Sequence, residues 1–259
     1  MNIAHATTAN IPNRHSLWQS LWSSDSSNAM KRHAGPPLLL LSLVYVGFMF
    51  AGGSRLSLAF AIPHDSAEKA VAYIAQHGWS IQLGSFFELA SAIPLGIFIA
   101  TTISRLRFLG VRAAGESIAF FGGIGATMML MLSSLASWSL TRPNIAEANG
   151  AVSALQAIAF AGGGPGFIAP FGLFIAGVSI SAGLHKLMPR WLMWLGIAVA
   201  VACELATFTL LNFKAGYFIP VGRFISIIWM IGVSLTLPAG IAKATGELDP
   251  NQATIGETH

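Results

Sequence analysis

Residues 36–63 have the sequence PPLLLLSLVYVGFMFAGGSRLSLAFAIP, and residues 191–213 have the sequence WLMWLGIAVAVACELATFTLLNF. Each run is longer than the roughly 20 apolar residues that a helix needs to cross a bilayer. The only charged residues in them are Arg55 in the first and Glu204 in the second. Lipid is therefore the expected solvent of both segments, and they predict an all-α bundle of transmembrane helices.

The composition of the whole chain agrees with a membrane protein. Hydrophobic residues make up 54% of the 259 positions and charged residues only 9%, against roughly 25% charged in an ordinary soluble domain. The net charge of +4 is first explained by membrane topology, and no nucleic-acid partner is expected. The one cysteine, Cys203, lies in an apolar run and predicts neither a disulfide nor a thiolate metal cluster.

Apolar runs and turn residues predict six transmembrane helices within a domain of residues 36–240. Residues 1–35 are polar and predict a disordered cytoplasmic tail, and residues 241–259 predict a cytoplasmic C-terminal tail. The predicted spans are residues 37–61, 81–104, 115–140, 167–187, 191–212 and 217–237.

Two short helices are expected on the outer membrane surface. Asp65 to Glu68 form a capping-box variant that opens a helix through Ala75. Residues 150–161 form an apolar half-helix that stops at the sequence GGGPG, residues 162–166. Together with the fourth span it would be about 55 Å long, too long for one crossing. The glycine run therefore predicts a hinge at the outer surface, with the unwound joint of a discontinuous, ligand-facing helix as the alternative.

Both termini are predicted to lie in the cytoplasm. This orientation places nine of the 14 Lys and Arg residues inside and four outside, as the positive-inside rule requires. Trp79 and Trp138 then lie at the outer interface, and Trp191 and Trp194 at the inner one. The triplet at residues 59–61, AFA, has the form of a signal-peptidase site, and cleavage there would leave five spans.

Four charged residues fall inside predicted spans: Arg55, Glu88, Glu204 and Arg223. Each is expected about 9 to 12 Å from the outer end of its helix, so the four could share one layer. Their charges cancel, which favours mutual pairing in a low-dielectric region. Such a layer serves either to fix helix packing or to hold an anionic or zwitterionic ligand or a proton.

Small residues spaced by four support an inward position for both carboxylates. Glu88 follows Gly84 and precedes Ala92, while Glu204 follows Gly196 and Ala200. Such spacing is typical of helices that approach closely, so both glutamates are expected to face protein rather than lipid.

Other chemistry has little support in the sequence. No catalytic motif that we sought is present, so an enzyme is the less favoured class. No cofactor is expected, and no metal site either, with His64 and His77 as weak candidates beside the predicted outer helix.

The C-terminal half resembles a group of uncharacterised bacterial multi-pass inner-membrane proteins. The resemblance is carried by LMPRWLMWLG at residues 187–196 and PVGRFISIIW at residues 220–229. It implies a six-helix inner-membrane protein with no assigned activity, and its signature positions here are Pro189, Arg190, Trp191, Gly222 and Arg223.

The function predicted first is that of a non-enzymatic structural, accessory or sensory membrane protein. A small transporter or ligand-binding protein that uses the charged layer is the alternative. The expected partners are the lipid bilayer and, beyond it, other membrane proteins or a second copy of the chain.

Overall fold

The computed structural model describes residues 31–54, 67–143, 145 and 149–241. Within these ranges the chain forms helices joined by short turns, with two strands of two residues each, which confirms the all-α prediction. Two short 3-10 helices, Ala206–Leu210 and Phe213–Tyr217, join the last two α-helices. The main elements are β1 (Lys31–Arg32), α1 (Leu38–Gly53), α2 (Ala67–Phe108), α3 (Ala114–Ser139), α4 (Asn149–Ala161), α5 (Phe167–Leu184), α6 (Arg190–Leu205), α7 (Phe218–Thr236) and β2 (Gly240–Ile241).

Five helical stretches in the described residues are long and apolar enough to cross a membrane. A sixth helix, α1, is equally apolar but shorter, with 16 residues. The predicted first span continued to residue 61, and its last part, which includes the AFA triplet, lies outside the described residues. The five long stretches are Glu68–Phe108, Ala114–Ser139, Gly150–Leu184, Arg190–Leu210 and Phe213–Thr236.

Helix α2 joins two segments that the sequence predicted to be separate. It has 42 residues, about 63 Å at 1.5 Å per residue, and bends at His77, whose φ and ψ are −121° and 16°. The His77 ring stacks on Tyr73 with 4.3 Å between ring centroids. The expected break between residues 75 and 81 is therefore a kink within one helix.

The apolar face of the N-terminal part of α2 is covered by protein. Ala70, Ile74 and Ile81 pack in one buried cluster with Leu140 and Val152. Val152 belongs to α4, so the first turns of α2 lie against α4. Ala70 and Ile74 therefore pack against α4, while the position of this segment at the outer membrane surface stays a prediction.

The helices are arranged so that each packs against its neighbour in the order α1, α2, α3, α5, α6, α7, and α7 returns to α1. Helix α5 is the most enclosed, since it also contacts α2 and α7. Its rings of Phe167, Phe171 and Phe174 stack in series, with 5.3 and 5.8 Å between centroids. Trp229 of α7 meets Phe174 edge to face and extends this aromatic core.

A buried junction fixes α5, α6 and α7 at close range. Trp229 donates a hydrogen bond from Nε1 to Oγ of Ser179, 2.9 Å away, and both side chains have no exposed surface. Gly196 of α6 lies against this pair. A Cβ atom added to Gly196 would overlap Ser179 Oγ and lie 2.5 Å from Trp229 Nε1. The junction therefore requires glycine at position 196.

The two strands belong to a second small unit, of which residues 31–33 and 239–241 are described. Lys31 and Arg32 pair antiparallel with Ile241 and Gly240, and the amide of His33 donates to the Ala239 carbonyl at 2.9 Å. The parts of the two predicted tails at residues 1–30 and 242–259 lie outside the described residues.

Replacing Gly196 by alanine tests the close packing of the junction. We expect Gly196→Ala to lower the free energy of unfolding by about 1–3 kcal/mol, because the added methyl group has no space. Gly47→Ala is the matched control, since a Cβ at Gly47 of α1 meets nothing within 4 Å. The control should leave stability unchanged or raise it by up to about 1 kcal/mol through helix propensity. Equal effects on unfolding in detergent would contradict the described packing.

Candidate functional site

The glycine run separates α4 from α5 with a distorted turn. Residues Gly162–Gly166 are π-helical, and Gly164 has φ −90° and ψ −109°, outside the helical region. Pro165 follows and has no backbone N–H to donate, and a proline disfavours helical geometry in the residue before it. The predicted break at residues 162–166 is therefore present, in the middle of the apolar stretch Gly150–Leu184.

The break lies against α3, away from the end of that helix. A Cβ atom at Gly162 would lie 3.3 Å from the Met129 carbonyl oxygen and 3.4 Å from the Ser133 nitrogen. Because α3 ends at Ser139, Ser133 is six residues inside that helix, about 9 Å from its end. Helix α4 runs along α3, so the break lies beside an apolar part of α3, while its position at the outer membrane surface stays a prediction.

Two side chains from neighbouring helices bind carbonyl groups at the break. Ser133 of α3 donates from Oγ to the Ala159 carbonyl at 2.9 Å. Arg223 of α7 donates from Nη2 to the Gly163 carbonyl at 2.7 Å, and its guanidinium carbon lies 5.2 Å from the centre of the Phe167 ring. In an apolar medium an unpaired carbonyl is costly, so these bonds stabilise the broken helix.

Glu88 of α2 lies beside the same break. Its Oε1 atom is 3.3 Å from Ser133 Oγ and would be 3.4 Å from a Cβ added to Gly163. The Ser133 hydroxyl has a single proton and also faces the nearer Ala159 carbonyl, so it cannot fully serve both acceptors. The half-buried Glu88 carboxyl group therefore keeps capacity for another hydrogen-bonding partner.

Tyr45 of α1 completes the group. It is buried, with 1% of its surface exposed, and lies within electrostatic range of both Arg223 and Glu88. Arg223 and Glu88 are also within range of each other. We call Tyr45, Glu88, Ser133, Arg223 and the Gly163 carbonyl the polar cluster, and it draws on α1, α2, α3, α7 and the break.

The structure brings together two of the four charges that the sequence singled out. Glu88 and Arg223 share the polar cluster, but no ion pair within 4.0 Å joins them. Arg223 instead binds a backbone carbonyl, and its Nε atom is buried without a hydrogen-bonding partner. Arg55, the third predicted member, lies outside the described residues.

Glu204 does not belong to the polar cluster. Its side chain is exposed on α6, although its Oε1 atom would lie 3.4 Å from a Cβ added to Gly172. Gly196 and Ala200, the earlier members of its predicted stripe, are buried. Residues spaced by four drift by about 40° at each step around an α-helix, so the stripe has turned outward by Glu204. The expected inward position of Glu204 is corrected.

Two members of the polar cluster were not singled out from the sequence. Tyr45 lies in a strongly apolar helix, where an aromatic residue is typical of packing. Ser133 adjoins Ser134 in a helix with many small residues. Their one available signal was that a tyrosine and a serine in membrane helices each need a hydrogen-bonding partner.

The described residues do not assemble a metal site. No group of three or more His, Cys, Asp or Glu side chains that could hold a metal occurs among them. His77 lies at the α2 kink, with Nδ1 3.2 Å from the Tyr73 carbonyl, and His64 is outside the described residues. Cys203 is buried where a Cβ at Gly172 or Gly222 would crowd it, a packing role.

The polar cluster combines charged and neutral hydrogen-bonding groups. A carboxyl group with spare acceptor capacity, a guanidinium with an unused donor and a phenol lie beside a break in a helix. Such groups can hold a small charged solute or exchange a proton. Searches of protein-family models, of curated proteins and of solved structures found no match to this chain.

Double-mutant cycles test whether Arg223 interacts with Glu88 and not with Glu204. Glu88→Gln and Arg223→Gln should couple by about 0.5–3 kcal/mol, because residues within one network are not independent. Glu204→Gln and Arg223→Gln should be additive within about 0.5 kcal/mol. Unfolding in detergent measures both. Equal coupling free energies in the two cycles would show that Glu204 interacts with Arg223 as strongly as Glu88 does, and would contradict the exclusion of Glu204 from the polar cluster.

Proposed function

We propose that this chain is a small ligand-binding or transport protein of the bacterial inner membrane. Its polar cluster binds a small anionic or zwitterionic solute or carries a proton. The observation that supports this proposal is that Glu88 and Arg223 share one site at a broken helix without pairing directly.

Two opposite charges that serve only helix packing are expected to form a direct ion pair. Placing charges in an apolar region is costly, and direct contact with further hydrogen bonds is the way to recover that cost. Here Arg223 binds one carbonyl and leaves Nε unused, and Glu88 shares a single hydroxyl with a competing acceptor. The two charges thus retain hydrogen-bonding capacity for a third species.

The broken helix adds to this argument. Discontinuous membrane helices place backbone groups and the ends of half-helices next to substrates and ions. The N-terminus of α5, which carries a partial positive charge, follows the break directly. Glu88 and Arg223 lie on the same break, so fixed charges and a helix end converge there.

A structural, accessory or sensory role is the second candidate. It is favoured by the bond from Arg223 to the Gly163 carbonyl, since a broken helix in an apolar layer needs such a donor in any case. In that role the polar cluster would be sealed from water, whereas a ligand site requires a path to it.

We also propose six spans with both termini in the cytoplasm. Helix α1, with 16 residues, is about 24 Å long as described, and the apolar sequence continues beyond it. An even number of spans agrees with the surplus of Lys and Arg assigned to the inner side. The bacterial inner membrane is proposed from the two C-terminal motifs.

Thermal unfolding with a panel of solutes tests the ligand site. Purified wild type should be stabilised by at least one member of a panel of small anions and amino acids. At a concentration of 100 times Kd the gain would be about 2.7 kcal/mol. Glu88→Gln and Arg223→Gln should lose this gain, while Glu204→Gln, the matched carboxylate control, keeps it.

The opposite pattern would favour the structural role. If no solute shifts the wild-type transition, and both cluster variants are destabilised to the same degree under every condition, the polar cluster acts in packing alone.

Single cysteines test the orientation. In a Cys203→Ala background, Thr141→Cys should react with an impermeant thiol reagent added outside intact cells. Arg112→Cys should react only after the membrane is opened. The reverse pattern would contradict the proposed orientation.

A further inference from the structure

Arg105 is a buried cation that the polar cluster does not use. It lies near the C-terminal end of α2, the end that the predicted orientation places on the cytoplasmic side. Only 5% of its surface is exposed. Arg107, two residues later, has a side chain that is 61% exposed and is paired with Glu116. Arg105 and Arg107 therefore occupy opposite environments on one helix end.

The partners of Arg105 do not satisfy its guanidinium group. Its Nη1 atom donates to the Leu237 carbonyl over 3.4 Å, at the long limit for such a bond. Its Nε atom is buried without a partner, and no described carboxylate lies within 4.0 Å of it. A guanidinium carries five N–H donors, and burying it without a counter-charge is strongly unfavourable.

Three helix ends come together near Arg105. Leu237 caps the C-terminus of α7, and α7 meets α1 where Ser42 Oγ and Ser234 Oγ are 3.4 Å apart. Ser42 lies in the second turn of α1, and Ser234 lies three residues before Leu237, whose carbonyl accepts the bond from Arg105. The start of α1 therefore lies towards the end of α2 that carries Arg105.

The start of α1 is a second feature that favours an anion. Its N-cap residue, Pro37, provides no side-chain hydrogen bond to the first turn. The first amides of a helix point outward and carry partial positive charge, and they bind phosphate and carboxylate groups in many proteins. An uncapped helix start and a buried guanidinium with an unused Nε donor thus lie at the same end of the bundle.

We propose that Arg105 anchors a binding site for a phosphate oxyanion, completed by the amides at the start of α1. Phosphate oxygens accept paired hydrogen bonds from the guanidinium fork, and the negative charge compensates the buried cation. The phosphate group comes either from a phospholipid headgroup or from free inorganic phosphate.

The rival role for Arg105 is to cap the C-terminus of α7 through the Leu237 carbonyl. A cation is favourable at that position. Capping uses one nitrogen of the guanidinium group and leaves Nε unused, whereas a phosphate would complete the set. The two roles differ in whether phosphate changes the stability of the protein.

Thermal unfolding of the full chain, purified in a maltoside detergent and freed of lipid, separates the two roles. The additions are phosphatidylglycerol in mixed micelles, inorganic phosphate, and chloride at matched ionic strength as the salt control. The variants are Arg105→Gln and Arg105→Lys, with Arg112→Gln as the control because Arg112 is exposed at the same end of α2.

We expect a phosphate source to raise the midpoint of wild type and of Arg112→Gln by about 3 °C over chloride. Arg105→Gln should show no rise. If Arg105→Gln does not fold, Arg105→Lys serves instead, and its half-saturating concentration should increase about tenfold, because lysine lacks the planar fork. A rise with lipid alone assigns the headgroup, and a rise with inorganic phosphate assigns the free anion.

Two results would overturn the proposal. One is a wild-type midpoint that is the same in phosphatidylglycerol, phosphate and chloride. The other is a full shift retained by Arg105→Gln or Arg105→Lys. Either result would leave Arg105 as a helix cap only.

Discussion

The hydrogen bonds that Ser133 and Arg223 donate to carbonyl groups at the broken helix are the constraint on which the rest of the bundle depends. An interruption in an apolar helix exposes backbone acceptors, and in lipid only other parts of the protein can satisfy them. Arg223 therefore holds α7 against the break, and Ser133 holds α3 against α4. The same requirement brings polar side chains of α2, α3 and α7 together at one point.

Packing around this point relies on small residues. Gly52 lets α1 approach α2 close to Glu88, and Gly162 and Gly163 let the break lie against α3. Each of these contacts brings a polar side chain within reach of the break. Gly196 has the corresponding role in the Trp229 junction, away from the polar cluster. The same short segments thus allow the helices to approach closely and bring hydrogen-bonding side chains to the carbonyl groups of the break.

Much of the fold followed from the sequence because long apolar runs have few structural options in lipid. The third, fourth and sixth predicted spans begin within one residue of helices α3, α5 and α7. The break at residues 162–166 was also predicted, since glycine and proline in succession do not continue a regular helix. Glu88 and Arg223 were singled out because charges inside apolar helices are rare.

What the sequence did not reveal was set by contacts between distant segments. The break lies beside Ser133 because α4 packs along α3, and no local sequence signal indicates that packing. Helix α2 remains one element through His77 because α4 covers its first turns. Glu204 continues a stripe of small residues spaced by four in the sequence. Positions four apart drift around an α-helix, however, and Glu204 therefore lies on the exposed side of α6. Tyr45 has the sequence context of an ordinary packing residue. It lies near charged groups only because α1 packs against α2 close to Glu88.

Water access to the polar cluster tests the central claim most directly. In a Cys203→Ala background, Ser133→Cys would be exposed to a small, water-soluble methanethiosulfonate in membranes, with Ser179→Cys in the sealed aromatic core as the control. A ligand site predicts that Ser133→Cys reacts, that Ser179→Cys does not, and that a stabilising solute slows the reaction. No reaction at Ser133→Cys in folded protein would contradict the account and identify the polar cluster as a sealed structural element.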